Sequence, residues 1–391
     1  MSSRLGTTIW RVMARVLLVT NFGRDLAKMR GAMLQALRAA GHEVVVAAPP
    51  EDDGAPAALA DLGVAFRPLP VDRTGLNPFR DLRYLTALVA CYRQVRPQMV
   101  LAISAKPVVY AGLAARLVGR VEVCSIISGL GYVFSGKSFR QRTLAVPLRV
   151  LYRQALRRNV AVFFQNEDDL SQFVHWRLLR HESQGAVMNG DGVDLGDFHA
   201  TPPPGRKNFL LIGRLLRDKG VLEYVQAARI VRQQHPDARF RLVGWFDHNP
   251  NALREEEVGK WVEAGTIEFL GFMPDVRPAI ADCDVYVLPS YREGLPRTVC
   301  EAMAMGRPII TTDAPGCRQS IVHGRNGLLV PVGDAGELAR AMDRLIRDPV
   351  RLAAMGRESR ALAEQRFDAR KVNAALVARM FGTRTESEPA R

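Results

Sequence analysis

Acidic residues are scarce in one part of this chain. Residues 101–160 carry ten Lys or Arg and a single acid, Glu122, whereas residues 201–391 carry 29 basic and 24 acidic residues. Over 391 residues the surplus of 54 Lys and Arg against 40 Asp and Glu gives +14 at neutral pH, which implies an anionic partner or surface without naming one. Cysteine is sparse and odd in number. Cys91, Cys124, Cys283, Cys300 and Cys317 show no CxxC or Cys/His spacing, which argues against a disulfide framework and a structural zinc. The seven histidines (His42, His175, His181, His199, His235, His248 and His323) have no ligand spacing to one another, so no metal is assigned. No apolar run approaches the roughly 18 residues that cross a bilayer. The Arg-rich start (Arg4, Arg11, Arg15) precedes an apolar stretch too short for a secretory signal, so a cytoplasmic protein is expected. Helix-turn-helix, RRM, KH and zinc patterns are missing, which leaves a basic nucleic-acid-binding protein as a poor reading of the charge.

What is present is a repeated alternation of short apolar runs and helical patterns, in a length that suits two domains. Arg15–Thr20 reads as a strand, followed by a loop at Gly23, a helical pattern through Leu34, Leu37 and Ala40, and a second strand at Glu43–Ala48. Continuous rather than alternating apolarity implies burial on both faces, hence a parallel sheet covered by helices. Met99–Ser104, Val121–Ile127 and Ala161–Gln165 continue the strands, with a helix over Val108–Leu117. Around 191–206 the texture changes to Gly192-Val-Asp194 and Thr201-Pro-Pro-Pro204-Gly205, which suits a stiff linker. A second series begins at Phe209–Gly213. It runs through a helix at Leu222–Gln234 and strands at Phe240–Gly244, Thr266–Leu270, Val285–Leu288 and Pro308–Thr311. The fold class expected is α/β, two Rossmann-like domains with doubly wound parallel sheets: residues 1–200 and 206–361. Helical patterns at Ala335–Arg347 and Arg351–Arg379 close the chain, and the tail after Gly382 reads as disordered.

In such folds chemistry collects in loops at the carboxyl ends of the strands. The most informative loop is Pro289-Ser-Tyr-Arg-Glu293-Gly-Leu-Pro296, which leads into a helix over Thr298–Met305 closed by Gly306. Glu293 lies just before that helix and Glu301 about one turn inside it. Free backbone N–H groups at the helix start suit phosphate oxygens, while two carboxylates suit hydroxyls, one a ribose diol and the other a sugar. Gly213-Arg214-Leu-Leu-Arg-Asp-Lys219-Gly220 supplies cations in another strand-to-helix loop. At an effective dielectric near 20, a unit pair at about 4 Å gains on the order of 4 kcal/mol before desolvation, enough to stabilise a leaving diphosphate without a divalent metal. The implied reaction is loss of a nucleoside diphosphate from a sugar. Taken alone, Glu293 reads equally as an ordinary helix-start carboxylate. Together with Glu301, Arg214 and Lys219 it reads as part of a donor site.

Arg214 with Lys219, Glu293-x7-Glu301 and the following Gly306-x-Pro308 resemble retaining glycosyltransferase family 4. The likeness runs from the Gly23 loop to the final helix. It is nearest to bacterial enzymes that extend lipid-diphosphate-linked sugars, on Arg30-Gly31, Ala105-Lys106-Pro107, Ile127-Ser-Gly-Leu-Gly131, Phe163-Phe-Gln-Asn166 and Gly190-Asp-Gly-Val-Asp194. The resemblance implies the GT-B fold, with two facing Rossmann-like domains and a last helix, about 362–380, crossing back to the first. It implies that Arg214 and Lys219 bind the donor diphosphate, Glu293 the donor sugar and Glu301 the ribose. Gly294, Leu295 and Pro296 would act through backbone groups. Gly23, Lys106, Ser128 and Gly129 become candidates for substrate contacts in the first domain. Many family members carry His where this chain has Ser128-Gly129, so no first-domain base is transferred.

The expected enzyme is therefore a retaining, metal-independent glycosyltransferase without a cofactor. Its substrates are a nucleotide sugar, with UDP-N-acetylhexosamine favoured over GDP-mannose, and a polyprenyl-diphosphate-linked saccharide of bacterial surface glycan assembly. The alternative on the same fold is a nucleotide-sugar epimerase. The basic segment from Lys137 to Arg158 (with Arg140, Arg142, Arg149, Arg153 and Arg157) is interleaved with Leu144, Val146, Leu148, Val150, Leu151, Tyr152 and Leu156. It reads as an amphipathic helix for an anionic membrane surface, which would place the enzyme peripherally on the inner face of the plasma membrane. The competing reading is a core-packed helix with a solvated face. Three other residues or motifs carry bland readings: Gly23 as a turn, Lys106 as a solvated lysine, and Asp282-Cys-Asp284 as a helix-to-strand turn rather than a DxD metal motif.

Overall fold

The computed structural model describes residues 13–23, 26–50, 55–71, 77–130, 139–247, 249 and 251–382. Arg4, Arg11, Gly131, Lys137, His248 and the tail beyond Gly382 lie outside the described residues, as do the side chains of residues 139–142 and 144. The described chain divides into two compact units. The second gathers Phe164–Gln172 and Val187–Val372, and the first holds the remainder.

In the first unit the apolar runs become β1 (Arg15–Thr20), β2 (Glu43–Ala48), β3 (Ala65–Pro68), β4 (Met99–Ile103), β5 (Glu122–Ile127), β6 (Asn159–Phe164) and β7 (Gly185–Val187). They form one sheet in the order β3-β2-β1-β4-β5-β6-β7. Leu17 pairs in parallel with Val45 on one side and Val100 on the other, and all three are buried. Burial on both faces is why these strands carry no polar alternation. The helix expected at Val108–Leu117 begins three residues earlier, at Ala105, and runs to Val118. Lys106 and Pro107 therefore stand in its first turn, where the missing N–H of proline costs nothing.

The second unit contains β8 (Asn208–Ile212), β9 (Arg239–Val243), β10 (Glu268–Phe269), β11 (Val285–Leu288), β12 (Ile309–Thr312) and β13 (Gly327–Val330). Their order is β10-β9-β8-β11-β12-β13, with every neighbouring pair parallel. Phe209, Phe240, Tyr224 and Tyr286 are fully buried within its core. Each sheet is thus doubly wound, with the strand order reversing between β1 and β4 in one and between β8 and β11 in the other.

Two features depart from the sequence reading. The division between units precedes the proline-rich stretch, because residues 187–206 are tied into the second unit. Val193 donates its N–H to the Phe367 carbonyl at 2.7 Å and accepts from Ala369 at 3.0 Å. Buried Arg307 donates to the Thr201 hydroxyl. The closing helix is also not continuous. Pro349–Leu362 is followed by a π-helical turn at Ala363–Phe367, a break at Asp368 and a further helix at Ala369–Phe381. Only residues from Asn373 onward group with the first unit.

Asp282-Cys-Asp284 has a structural use. The Asp284 carboxylate, 2% exposed, accepts from the backbone N–H groups of Gly205, Arg206 and Asn208 at 2.6, 2.9 and 2.9 Å. Asp282 pairs with Arg241. Replacing a carboxylate that satisfies three N–H groups leaves buried donors without acceptors. Asp284→Ala should lower the unfolding free energy of the second unit by about 3 kcal/mol in urea titrations, with Asp282→Ala costing clearly less.

Candidate active site

The candidate residues of the second unit meet because β8 and β11 are parallel neighbours. Phe209 pairs with Val285 and Leu210 with Tyr286, so the loops after both strands leave the same edge, at the point where strand order reverses. Arg214 follows β8 by two residues and Glu293 follows β11 by five. Buried Tyr286 fastens this corner: its hydroxyl lies 3.1 Å from the Ile212 carbonyl at the end of β8 and 2.6 Å from the Thr298 hydroxyl. Burial raises the Tyr286 pKa strongly, so this phenol stays a neutral structural group.

At the centre Lys219 Nζ donates to Glu293 Oε1 at 2.5 Å, with the two side chains 19% and 11% exposed. Ser290, fully buried, places its hydroxyl 2.7 Å from the same oxygen. Both donors converge on Oε1, which leaves Oε2 with no hydrogen-bond partner in the described chain. Lys219 closes a short 3₁₀ turn, Arg217–Lys219, and Gly220 follows with φ +73°. A Cβ on Gly220 would lie 2.0 Å from the Pro289 carbonyl, so the β8 and β11 loops touch only because that residue is glycine. The next helix, Val221–Gln234, starts there with no side-chain cap, as does the helix Arg297–Ala304 after Pro296. Two sets of helix-start N–H groups are therefore unclaimed by side-chain caps beside the ion pair.

The remaining donor-site candidates are placed less simply. Arg214 is half-exposed and pairs with Asp247 at 3.1 Å, on the loop after β9. Glu301, almost buried, accepts from Arg297 one helical turn earlier at 2.8 Å. Of the backbone donors expected from Gly294, Leu295 and Pro296, the Leu295 N–H donates to the Gln165 side chain at 3.3 Å, and proline has none to give. Gly294 N–H alone is without a partner in the described chain.

In the first unit Gly23, Lys106 and Ser128–Gly129 follow β1, β4 and β5, which are neighbours in the sheet, so they share its carboxyl edge. Gly129 has φ +124°, a conformation that side chains rarely adopt. Lys106 is not a solvated lysine: Nζ pairs with Asp81 at 2.7 Å, each side chain 15% exposed. The helix Phe139–Leu156 runs through Pro147 without ending there. It buries Tyr152 and Leu156 and exposes Val146 and Val150. Part of its basic character serves packing, since Arg149 lies over the Trp176 ring at 4.2 Å and Arg153 donates to the Trp176 and Arg177 carbonyls.

The profile of the family described as Glycosyl transferases group 1 matches residues 206–348, which hold Arg214, Lys219, Glu293 and Glu301. The profile described as Glycosyl transferase 4-like domain matches residues 27–190. The two matches divide most of the chain between them, and the chain is a glycosyltransferase. This glycosyltransferase is 26% identical over 348 residues to the N,N'-diacetylbacillosaminyl-diphospho-undecaprenol alpha-1,3-N-acetylgalactosaminyltransferase of Campylobacter jejuni, covering 85% of this chain and 90% of the relative. It is 26% identical over 162 residues to the capsular polysaccharide biosynthesis glycosyltransferase CapM of Staphylococcus aureus, covering 41% and 42%. The HepE protein of Anabaena, solved in complex with UDP-glucose, superposes with a TM-score of 0.75 at 19% identity over 93% of this chain and 98% of that one. The shared architecture is GT-B. No helix of the described residues is long and apolar enough to cross a membrane.

Sequence reasoning passed over Ser290, Asp247 and Asn166 as site residues. Ser290 stands three residues before Glu293, a spacing that does not by itself reveal a shared hydrogen bond. Asp247 was legible only as part of a loop, and its pairing with Arg214 depends on β9 lying beside β8. The Lys219–Glu293 contact is testable without substrate. Lys219→Met strands a nearly buried carboxylate and should cost about 2 kcal/mol of stability, while the double variant with Glu293→Gln should recover about half of that in a denaturation cycle.

Proposed function

We propose that this glycosyltransferase moves a sugar from a nucleoside-diphosphate donor, with UDP-N-acetylhexosamine favoured, to a lipid-diphosphate-linked saccharide in bacterial surface glycan assembly, with retention of anomeric configuration. The observation that carries the reading is the pairing of Lys219 with Glu293 Oε1 beside two uncapped helix starts, which leaves Oε2 open to a ligand hydroxyl. On this reading Lys219, Arg214 and the helix-start N–H groups hold the diphosphate. They stabilise the negative charge that grows on it as the glycosidic bond breaks. Glu293 orients the sugar through its hydroxyls, and Glu301 takes the ribose. Donors prearranged in this way need little reorganisation at the moment of bond cleavage. Retention follows from same-face attack, in which the acceptor hydroxyl enters on the side the diphosphate leaves and the leaving phosphate takes its proton. No protein nucleophile is invoked.

The acceptor class is supported by the relative from Campylobacter jejuni, whose name specifies an undecaprenol diphosphate substrate, and by the capsule enzyme CapM. In the first unit Gly23, Lys106, Ser128 and Gly129 mark the edge for that acceptor. Lys106 serves there only by bridging Asp81 and the acceptor's phosphate or by releasing Asp81. The exposed Val146 and Val150 on the basic helix Phe139–Leu156 fit a peripheral position on an anionic membrane surface.

The test is a screen of UDP-N-acetylglucosamine, UDP-N-acetylgalactosamine, UDP-glucose and GDP-mannose against undecaprenyl-diphosphate saccharides. Glu293→Ala should lose at least about a hundredfold in turnover. Unchanged turnover in that variant contradicts the donor assignment, and interconversion of donor without acceptor replaces transfer by epimerisation.

A further inference from the structure

The loop that carries Glu293 is gripped by a buried polar segment far away in sequence. Gln165, Asn166 and Asp169 follow β6 at the start of the helix Glu167–His175, and they are 7%, 0% and 0% exposed. Asn166 Nδ2 donates to the Gly294 carbonyl at 2.8 Å, reaches the Glu293 carbonyl at 3.4 Å and the Asp169 carboxylate at 3.2 Å. Its Oδ1 accepts the Asp169 N–H at 2.7 Å, the cap of the helix. Asp169 accepts from Arg292, the residue before Glu293, and Gln165 accepts from Leu295, two residues after it. Next in line, Asp168 binds Arg318 at 2.9 Å and Gln319 at 2.8 Å. The Gln319 side chain in turn holds the Gly316 N–H at 2.8 Å, and Glu293 donates its own N–H to Pro315 at 3.0 Å.

Buried polar groups are costly unless satisfied, so a triplet of this kind is retained where its geometry matters. Here the side-chain bonds that leave Gln165, Asn166 and Asp169 lead to the four residues Arg292–Leu295. We infer that Asn166 is a positioning residue for Glu293: its amide fixes the Glu293 and Gly294 carbonyls, and through them the direction in which the Glu293 carboxylate presents Oε2. The inference rests on the donor-site reading above. It assigns a role to residues outside the strand-to-helix loops that touch the donor. A loop of four residues with two carbonyls unanchored can shift by an ångström without unfolding, and a misplacement of that size costs up to about a hundredfold in rate.

Asn166→Ser keeps an oxygen for the helix cap and removes the amide donor, which separates the two uses of the side chain. Hydrogen exchange read by mass spectrometry on the full chain should be about tenfold faster in the peptide covering residues 290–297 and unchanged in the peptide covering residues 167–176. With the donor and acceptor found by the screen, kcat should fall about tenfold or more while donor KM stays within about threefold, because the groups that hold the diphosphate are untouched. Asn166→Asp keeps the cap, turns a carboxylate oxygen against the two carbonyls and should give a larger fall; it serves if the serine variant does not fold. Exchange unchanged at residues 290–297, exchange raised equally in both peptides, or a rise in donor KM at constant kcat overturns the positioning role. Wild-type turnover in Glu293→Gln removes the donor-site reading instead, while the exchange result stands on its own.

Discussion

The contact between Lys219 and Glu293 organises the second unit's candidate site. A carboxylate only 11% exposed needs a compensating partner, and a lysine on a neighbouring loop supplies it. The pair is possible because two strand ends lie side by side and because Gly220 lets the backbone of one loop pass against Pro289 of the other. Ser290 then joins the same oxygen, so the carboxylate is asymmetric, with one oxygen occupied by two protein donors and the other without a hydrogen-bond partner in the described chain.

Topology explains why residues 74 positions apart can do this. In a doubly wound sheet the crevice opens where strand order reverses, and each sheet here places its candidates at that reversal. The two units use their edges differently. The second presents a cation and a carboxylate joined to each other beside uncapped helix starts. The first presents glycine and serine backbone at Gly23 and Ser128–Gly129, with Lys106 closed onto Asp81. The first unit therefore has less free charge than its share of the basic residues suggests, since Arg149 and Arg153, on the helix Phe139–Leu156, are also engaged in packing.

Much of this was legible in the residues. Arg15–Thr20, Glu43–Ala48, Met99–Ile103 and Val285–Leu288 announce themselves as unbroken apolar runs, and burial on both faces is the reason. β3, Ala65–Pro68, did not, because it is a short edge strand with no fully buried side chain. The break at Asp368 was hidden because the helical pattern continues across it, while the turn is fixed by Val193 bonding to Phe367 and Ala369. The linker read as a spacer because prolines in sequence look alike whether solvated or packed, and the bonds from Asp284 to Gly205, Arg206 and Asn208 are tertiary facts. Lys219 and Glu293 were legible as partners because their residue types are complementary, whereas the pairing of Arg214 with Asp247 and of Glu301 with Arg297 was not read from the sequence. Asn166 was visible only within a motif, since the backbone carbonyls it holds leave no mark on the sequence.

The pairing also bears on which anion suits the site. Net charge of +14 would attract any phosphate, and a free cation cluster would hold it. Lys219 is not free. A ligand that brings phosphate alone draws the ammonium away from Glu293 and leaves a nearly buried carboxylate with only the Ser290 hydroxyl, an arrangement that desolvation penalises. A ligand that brings phosphate and adjacent hydroxyls together replaces what it takes, because the hydroxyls donate to the same carboxylate that loses the lysine. On the donor-site reading, selectivity for a sugar attached to a diphosphate over the bare diphosphate is built into the resting ion pair.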